Sequence, residues 1–380
     1  MPSYSGVWTL QAQMQAVAAG TWTGFPFLYA WGLNSKGQLG LNDTANRSSP
    51  VQVDSLTTWY QITGGSLFTS AVKTNGTLWS WGYNNYGQLA QNDTANRSSP
   101  VQIGALTTWS KVAAGYVQCF AIKTDGTLWS WGRNHDGQLG LNDTVNRSSP
   151  VQVGALTTWY QIAGGEIHTI ATKTDGTLWS WGRNGSGQLG LNDVVNRSSP
   201  VQVGILTTWY QVACGDNFTL ATKTDGTMWS WGGNAAGELG LGNAGAFTGR
   251  SSPVQVGALT TWSQVAGGGF ISMALKTDGT LWSWGNNFYG GLGLNDTASR
   301  SSPVQVGGLT TWSQIAAGYS FGLVIKTDGT MWSWGRNSNG QLGLNDTANR
   351  SSPVQVGAIT SWKSLSKMSR SKSSLALAAP

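Results

Sequence analysis

Charge is scarce in this chain. Asp, Glu, Lys and Arg make up 10% of its 380 residues, so Asn, Ser, Thr and Gln must carry most of its polarity. The 22 basic and 16 acidic residues leave a formal +6, but the basic ones recur singly and form no stripe that would grip nucleic acid. The densest group, "WKSLSKMSRSK" at residues 362–372, is read as keeping a C-terminal strand soluble, since a phosphate grip needs several converging cations. The two cysteines, Cys119 and Cys214, fall at different places in their repeats, which argues against a disulfide framework or a metal knuckle and leaves them as small core fillers. Histidines are equally few. His135 lies in a changing loop and His168 is expected near the centre of the fold, with no nucleophile placed beside either. A non-enzymatic chain with no cofactor and no metal is therefore expected. No stretch approaches the ~20 apolar residues of a membrane helix, so no membrane insertion is expected. The opening "MPSYSGVWTLQAQMQAVAAG" lacks a basic n-region and is interrupted by Gln11, Gln13 and Gln15, which makes it a poor signal peptide.

Glycine (53) and tryptophan (22) are abundant instead, a composition suited to sheets joined by tight turns. The Trp of "WG" falls at 31, 81, 131, 181, 231, 284 and 334, a period of 50 with one three-residue insertion inside "LGNAGAFTGRSSP". That period is close to a four-strand propeller blade, and seven copies lie within the ~4 to 8 blades of such rings. In the copy from Thr157, "TTWYQIA" reads as strand a, "HTIATKT" as strand b, "TLWSWG" as strand c and "PVQV" as strand d, an edge strand where Pro is tolerated. "GG" turns a into b, "DG" makes a tight b-to-c hairpin, and "RNGSGQLGLNDVVNRSS" connects c to d. The first copy starts at strand c, "FLYAWG", whereas the last strands, "SWKSLSK" and "SSLALAA", have no c or d after them. Six complete blades and one built from both ends close the ring without a large exposed sheet edge. The expected architecture is all-β: a seven-bladed β-propeller over residues 25–380, preceded by an arm of residues 1–24, with Met368 in place of a repeat Gly marking the most divergent joint.

The pattern "G…T.A.KTDGTLWSWG.N..GQLGLND…R.SPV" resembles the repeat of the regulator of chromosome condensation family, over about residues 25–378. That resemblance implies a seven-bladed propeller presenting a protein-binding surface. The family spans a nucleotide-exchange factor for a small GTPase, ubiquitin-ligase modules, a photoreceptor and bacterial β-lactamase inhibitors, so fold alone selects no function. The family's His after the Gly that opens strand b is matched only by His168; the other copies carry Phe68, Gln118, Phe218, Ile271 and Phe321. A three-residue insertion is too short for a protruding wedge of the exchange-factor kind, and the arm through Pro26 has no Lys or Arg for gripping DNA. The near-identity of the copies and the opening "SGVWTLQAQMQAVAAGTW" are also similar to virion proteins of tailed phages that carry such repeats.

Features that recur once per blade are read as blade parts. The Asp of "NDT" and the Arg of "NRSSP", Asp143 and Arg147 for example, are spaced to brace the c-to-d connection by charge-assisted hydrogen bonds. The insertion copy loses this Asp but keeps Arg250, which argues against an ion in every blade. The "WSW" and "TTW" tryptophans suit packing between blades. The glycines of "GQLG" have no P-loop Lys beside them and are no phosphate cradle.

Two places vary between copies: the start of the c-to-d loop ("LNSK", "YNNY", "RNHD", "RNGS", "GNAA", "NNFY", "RNSN") and the triplet after strand a ("SLF", "YVQ", "EIH", "DNF", "GFI", "YSF"). Antiparallel order puts both on one ring face, opposite the invariant "TDGT" hairpins. The candidate binding residues there are Tyr83, Tyr86, Tyr116, Arg133, His135, Glu166, Arg183, Asp216, Phe288, Tyr289, Tyr319 and Arg336, many of them types enriched at recognition hot spots. The arm joins strand c from the hairpin side, and its Trp8, Leu10, Met14, Val17 and Trp22, with a short helix around residues 9–18, form a candidate docking segment. The resulting expectation is a non-enzymatic virion component, a tail or capsid appendage, held to other virion proteins by the arm and binding a host-surface protein or glycan through the variable loops. The alternative is a soluble, cytoplasmic regulator that binds a GTPase or inhibits an enzyme.

Overall fold

Apolar residues with β-branched and aromatic neighbours, cut by Gly at fixed intervals, leave little choice but short strands. The computed structural model describes residues 26–55, 58–368 and 371–379, and every regular element within them is a β-strand. In the blade of the fourth Trp-Gly copy, strands a (Trp159–Gly164), b (His168–Lys173), c (Leu178–Gly182) and d (Arg197–Gln202) pair consecutively and antiparallel. Strand b is buried along its whole length, because blades pack on both of its faces, whereas strand d is only half-buried at the rim. Seven such sheets form among the described residues.

Blades are numbered here from the one that both chain ends share. Blade 1 takes strands a and b from Trp362–Leu365 and Ser373–Ala378, and strands c and d from Phe27–Gly32 and Arg47–Gln52. Phe27 pairs with Ala378 and Gly32 with Ser373, so the ring closes by the predicted exchange of termini. Blades 2 to 7 begin at Trp59, Trp109, Trp159, Trp209, Trp262 and Trp312.

Two details differ from the sequence reading. Strand d starts at Arg197, three residues before Pro200; Ser180 pairs with Val201 and Gly182 with Arg197, so the stretch between is a bulge where Pro forfeits no ladder bond. The second is an additional strand, Lys367–Met368, which pairs in parallel with Thr63–Gly64 of blade 2. At Gly165, the residue of blade 4 equivalent to Met368, a Cβ would lie 2.2 Å from the His168 ring. At the closing joint the chain runs on to the neighbouring blade instead.

Each apolar core lies between two blades. One joins Ile170, Leu178 and Ala221 with Val203, Trp209, Val212, Cys214 and Trp231. The indole N–H of the Trp in each "WG" donates to a backbone carbonyl in the loop of the preceding blade, as Trp181 does to Gln138 O at 2.9 Å and Trp31 to Gln341 O at 2.9 Å. The same stretch straps the following strand d: Asn142 N donates to Ser198 O at 2.7 Å, and Asn345 N to Ser48 O at 2.8 Å across the closing joint. At the opposite face, Lys173 lies with its Nζ 3.5 Å from the Trp179 ring centre and 5.1 Å from that of Trp159, a cation–π sandwich that recurs in blades 2 to 7.

The glycine ending "GQLG" has φ near +70° and packs on the next blade's Trp, but blade 2 carries Ala90 there with φ +56°. An alanine held in the left-handed region is strained by about 1–2 kcal/mol. Ala90→Gly is therefore expected to raise unfolding stability by about 1 kcal/mol, after allowing for the freer unfolded chain, at unchanged denaturant m-value. A lower midpoint would mean that packing of the Ala90 methyl outweighs the strain.

Candidate functional site

The c-to-d loops are rigid because their invariant residues bond to one another. In blade 3, Leu139 N donates to Asn134 Oδ1 at 2.9 Å and Asn134 Nδ2 to Asp143 Oδ1 at 2.9 Å, while Asp143 pairs with Arg147. Burial pushes the Asp143 carboxyl up, but the Val145 amide, Arg147 and Asn134 outweigh it and hold the group below its usual range. Equivalent Asp–Arg pairs at 2.5 Å brace blades 1, 2, 4, 6 and 7. In blade 5, Asn243 takes the place of the Asp and receives Asn234 Nδ2 at 3.0 Å. The frame uses these groups, including the Asn two residues after "WG", and makes no use of the side chains directly before and after that Asn.

The a-to-b turns form a second ring on the same face. Tyr116 N donates to Gly165 O, Glu166 N to Asp216 O and Asp216 N to Gly269 O, at 3.1, 3.3 and 3.2 Å. Gly164 pairs with Thr169 and Gly182 with Arg197, so turns and loops share a face and the hairpins occupy the other.

Two aromatic and cationic clusters stand on this face. In the first, Tyr83 and Tyr86 meet edge-on at 6.4 Å, Tyr86 meets His135 at 6.1 Å, Arg133 lies 5.7 Å from the Tyr86 ring centre, and Lys36 lies 5.9 Å from that of Tyr83. Burial, with Tyr86 and Tyr116 close by, raises the Tyr83 hydroxyl above its ordinary pKa. In the second, Phe288 and Tyr289 are edge-on at 4.9 Å, Arg336 lies 4.9 Å from the Tyr289 ring, and Phe270 meets Tyr319 at 6.1 Å with Lys372 6.0 Å from Tyr319. Glu166 and Arg183 lie between the clusters, on blade 4.

Asp216 corrects the sequence reading. It sits on the expected face but is buried, 2% exposed. Trp8, Leu10, Met14, Val17 and Trp22 lie outside the described residues. Lys36, Phe270 and Lys372 were not singled out from sequence, although Lys36 occupies the slot of Tyr86 and Tyr289 and Phe270 lies in a variable triplet.

His168 is buried against blade 5, with Nε2 3.2 Å from Thr219 Oγ1, and burial drops its pKa to about 3. Both thiols are likewise pushed up by burial, that of Cys119 to about 12. Among the described residues no cluster of three or more His, Cys, Asp or Glu side chains is placed to hold a metal ion.

The RCC1-like domain model matches residues 28–263, and the regulator of chromosome condensation (RCC1) repeat matches 278–325 and 328–368, with a second form of the repeat at 262–290 and 312–341. Among solved structures, human WBSCR16 is 20% identical with a TM-score of 0.83, covering 93% of this chain and 98% of its own. Prp20p of Saccharomyces cerevisiae, in a structure concerned with its binding to Gsp1p and histones, is 20% identical at a TM-score of 0.83 and covers 94% and 92%. The yeast protein bound to Kap60 gives 19% and 0.82, covering 94% and 89%. At these identities the likeness establishes the fold. No curated protein matches the chain by sequence.

His168 yields a pH prediction. Its pKa is about 3 in the fold against about 6.5 unfolded, so between those values only the unfolded chain takes up a proton. Stability is therefore lost as pH falls below about 6.5, at up to about 1.4 kcal/mol per pH unit until about pH 3. His168→Phe, the residue type of Phe218, should flatten that part of the profile in denaturation series from pH 7 to 4. An unchanged slope would contradict the buried neutral imidazole.

Proposed function

This chain belongs to the RCC1-like repeat family, and from that premise we propose that it is a binding module, without catalysis of its own, whose variable face grips a folded protein partner. One observation carries the reading: two clusters of Tyr, Phe, Arg and Lys stand on rigid loops of one face, and neither is needed to join the blades. Aromatic and Arg side chains dominate recognition hot spots because they bury large areas at low conformational cost. Loops already fixed by the Asn–Asp–Arg frame lose little further freedom on binding. Prp20p, with its binding toward Gsp1p and histones, is the precedent for protein partners on this architecture. The blade 5 insertion folds as a tight turn, Thr248 N to Gly245 O at 3.1 Å, so binding proceeds without a projecting wedge. The soluble-regulator reading is thus the better supported one, with a small GTPase as the first partner to test.

Binding to a panel of small GTPases, nucleotide-free and loaded, measured by interferometry, tests this reading. Tyr86→Ala with Arg133→Ala, or Tyr289→Ala with Arg336→Ala, should weaken the binding partner by about 2 kcal/mol or more, roughly 30-fold. Unchanged affinity in both double variants would place the contact elsewhere.

A particle-borne form of the same module has one observation in its favour: Phe27, where the ring begins, lies at the hairpin end of strand c, opposite the two clusters. Residues 1–24 would then tether the ring with its variable face outward. Deleting them should abolish incorporation into a particle while the ring keeps its melting temperature; incorporation without them removes the tether.

A further inference from the structure

In the c-to-d slots blade 4 carries Gly185 and Ser186 beside Arg183, and blade 5 carries only small residues, Gly233, Ala235 and Ala236. A hollow opens there between the two clusters, lined also by Phe218, Phe270 and Glu238. Glu238 is 3% exposed, and its Oε2 accepts the Ala236 amide at 2.8 Å. The other copies have Gln at this place, apart from Gly291 in blade 6; in blade 4 Gln188 Oε1 takes the equivalent Ser186 amide at 2.9 Å. A neutral amide thus serves the loop equally well, and the fold has no use for the charge. Among the described residues no Lys or Arg forms an ion pair with Glu238. Burial holds its carboxyl above the usual range, the signature of a charge site without a compensating cation. The charged residues on the neighbouring turns and loop are Glu166, Asp216 and Arg183.

We infer that this hollow is a pocket for a cationic side chain of the bound partner, a guanidinium or ammonium that pairs with Glu238 while its stem lies against Phe218 and Phe270. The pocket deepens the docking reading of the same face: the two clusters hold the partner's surface and Glu238 selects for one inserted positive residue. Small residues around the carboxylate leave room for that group, and a buried carboxylate discriminates charged from neutral ligands strongly.

The full chain can be tested without the partner. The probe is the peptide acetyl-Gly-Arg-Gly-amide, with its citrulline analogue as neutral counterpart, followed by ligand-observed NMR. The Arg peptide should bind at least about tenfold more tightly than the citrulline peptide, and Glu238→Gln, which installs the residue other copies carry, should erase that difference. Gly185→Phe should block both peptides without loss of melting temperature, since a Cβ there meets only Arg183 Nε at 3.7 Å and blade 6 carries Phe288 in the same slot. Tyr86→Ala with Arg133→Ala should leave peptide binding intact. Equal affinity for the two peptides, or wild-type discrimination by Glu238→Gln, overturns the pocket. Either result can coexist with partner binding that depends on Tyr86 and Arg133, so failure of the pocket is distinguishable from failure of the docking face.

Discussion

The ring rests on one hydrogen bond made at all seven joints: an indole N–H reaching across to a backbone carbonyl of the preceding blade. Magnitudes separate what drives assembly from what directs it. Burying an indole removes on the order of 200 Å² from water, roughly 5 kcal/mol, while a buried neutral hydrogen bond nets about 1 kcal/mol. Burial therefore drives the blades together, and the bond selects the register in which they meet. A joint slipped by one residue would bury the N–H without a partner, at a cost of about 1–3 kcal/mol. At five joints a hydroxyl, such as Thr169 Oγ1 or Ser374 Oγ, donates to the same carbonyl and strengthens the selection.

That constraint explains the repeated letters of the sequence. Gln138 O accepts Trp181, and Asn142 N donates to Ser198 O, so "GQLGLN" has two backbone appointments in the next blade and little freedom between them. The Asn of "LND" supplies the positive φ that the strap needs, as at Asn142 with φ +63°. Asp143 and Arg147 then close the loop on itself. Each copy serves its neighbour as much as its own blade, so a change in the strap would damage a joint.

Much of this was legible in the chain. Period-two alternation and the 50-residue spacing located the four strands, and the unmatched ends predicted the shared blade, because strand order is a local property repeated seven times. What stayed hidden depends on neighbours that a single copy does not reveal. A single copy of "GQLG" does not show that its carbonyl serves the next blade. The Lys367–Met368 strand pairs with blade 2, a contact that the alternation within its own copy does not announce. Asp216 was read as exposed because the variable triplets look alike in sequence, and which member of a triplet is buried depends on the neighbouring blade. Glu238 differs from the Gln of other copies by a single group, and only its burial beside a hollow gives that difference meaning.

A nearly symmetric scaffold thus supports an asymmetric face. The hydrogen bonds that close the ring draw on backbone groups and on Trp, Asn, Asp and Arg at fixed positions, so the side chains on either side of the loop Asn and at the a-to-b turns change without breaking a joint. Blades 2 and 3 fill those slots with Tyr and Arg, blades 6 and 7 with Phe, Tyr and Arg, and blade 4 with Glu166 and Arg183, whereas the c-to-d slots of blade 5 hold only Gly233, Ala235 and Ala236. Blade 5 also carries the insertion and the only Gln-to-Glu exchange at its position. Three departures from the repeat coincide in one place on one face, and none of them touches the indole bond to the following blade, where Trp284 still donates to Glu238 O at 2.7 Å. Blade 5 keeps its backbone duty to the ring while its side chains take on a separate one.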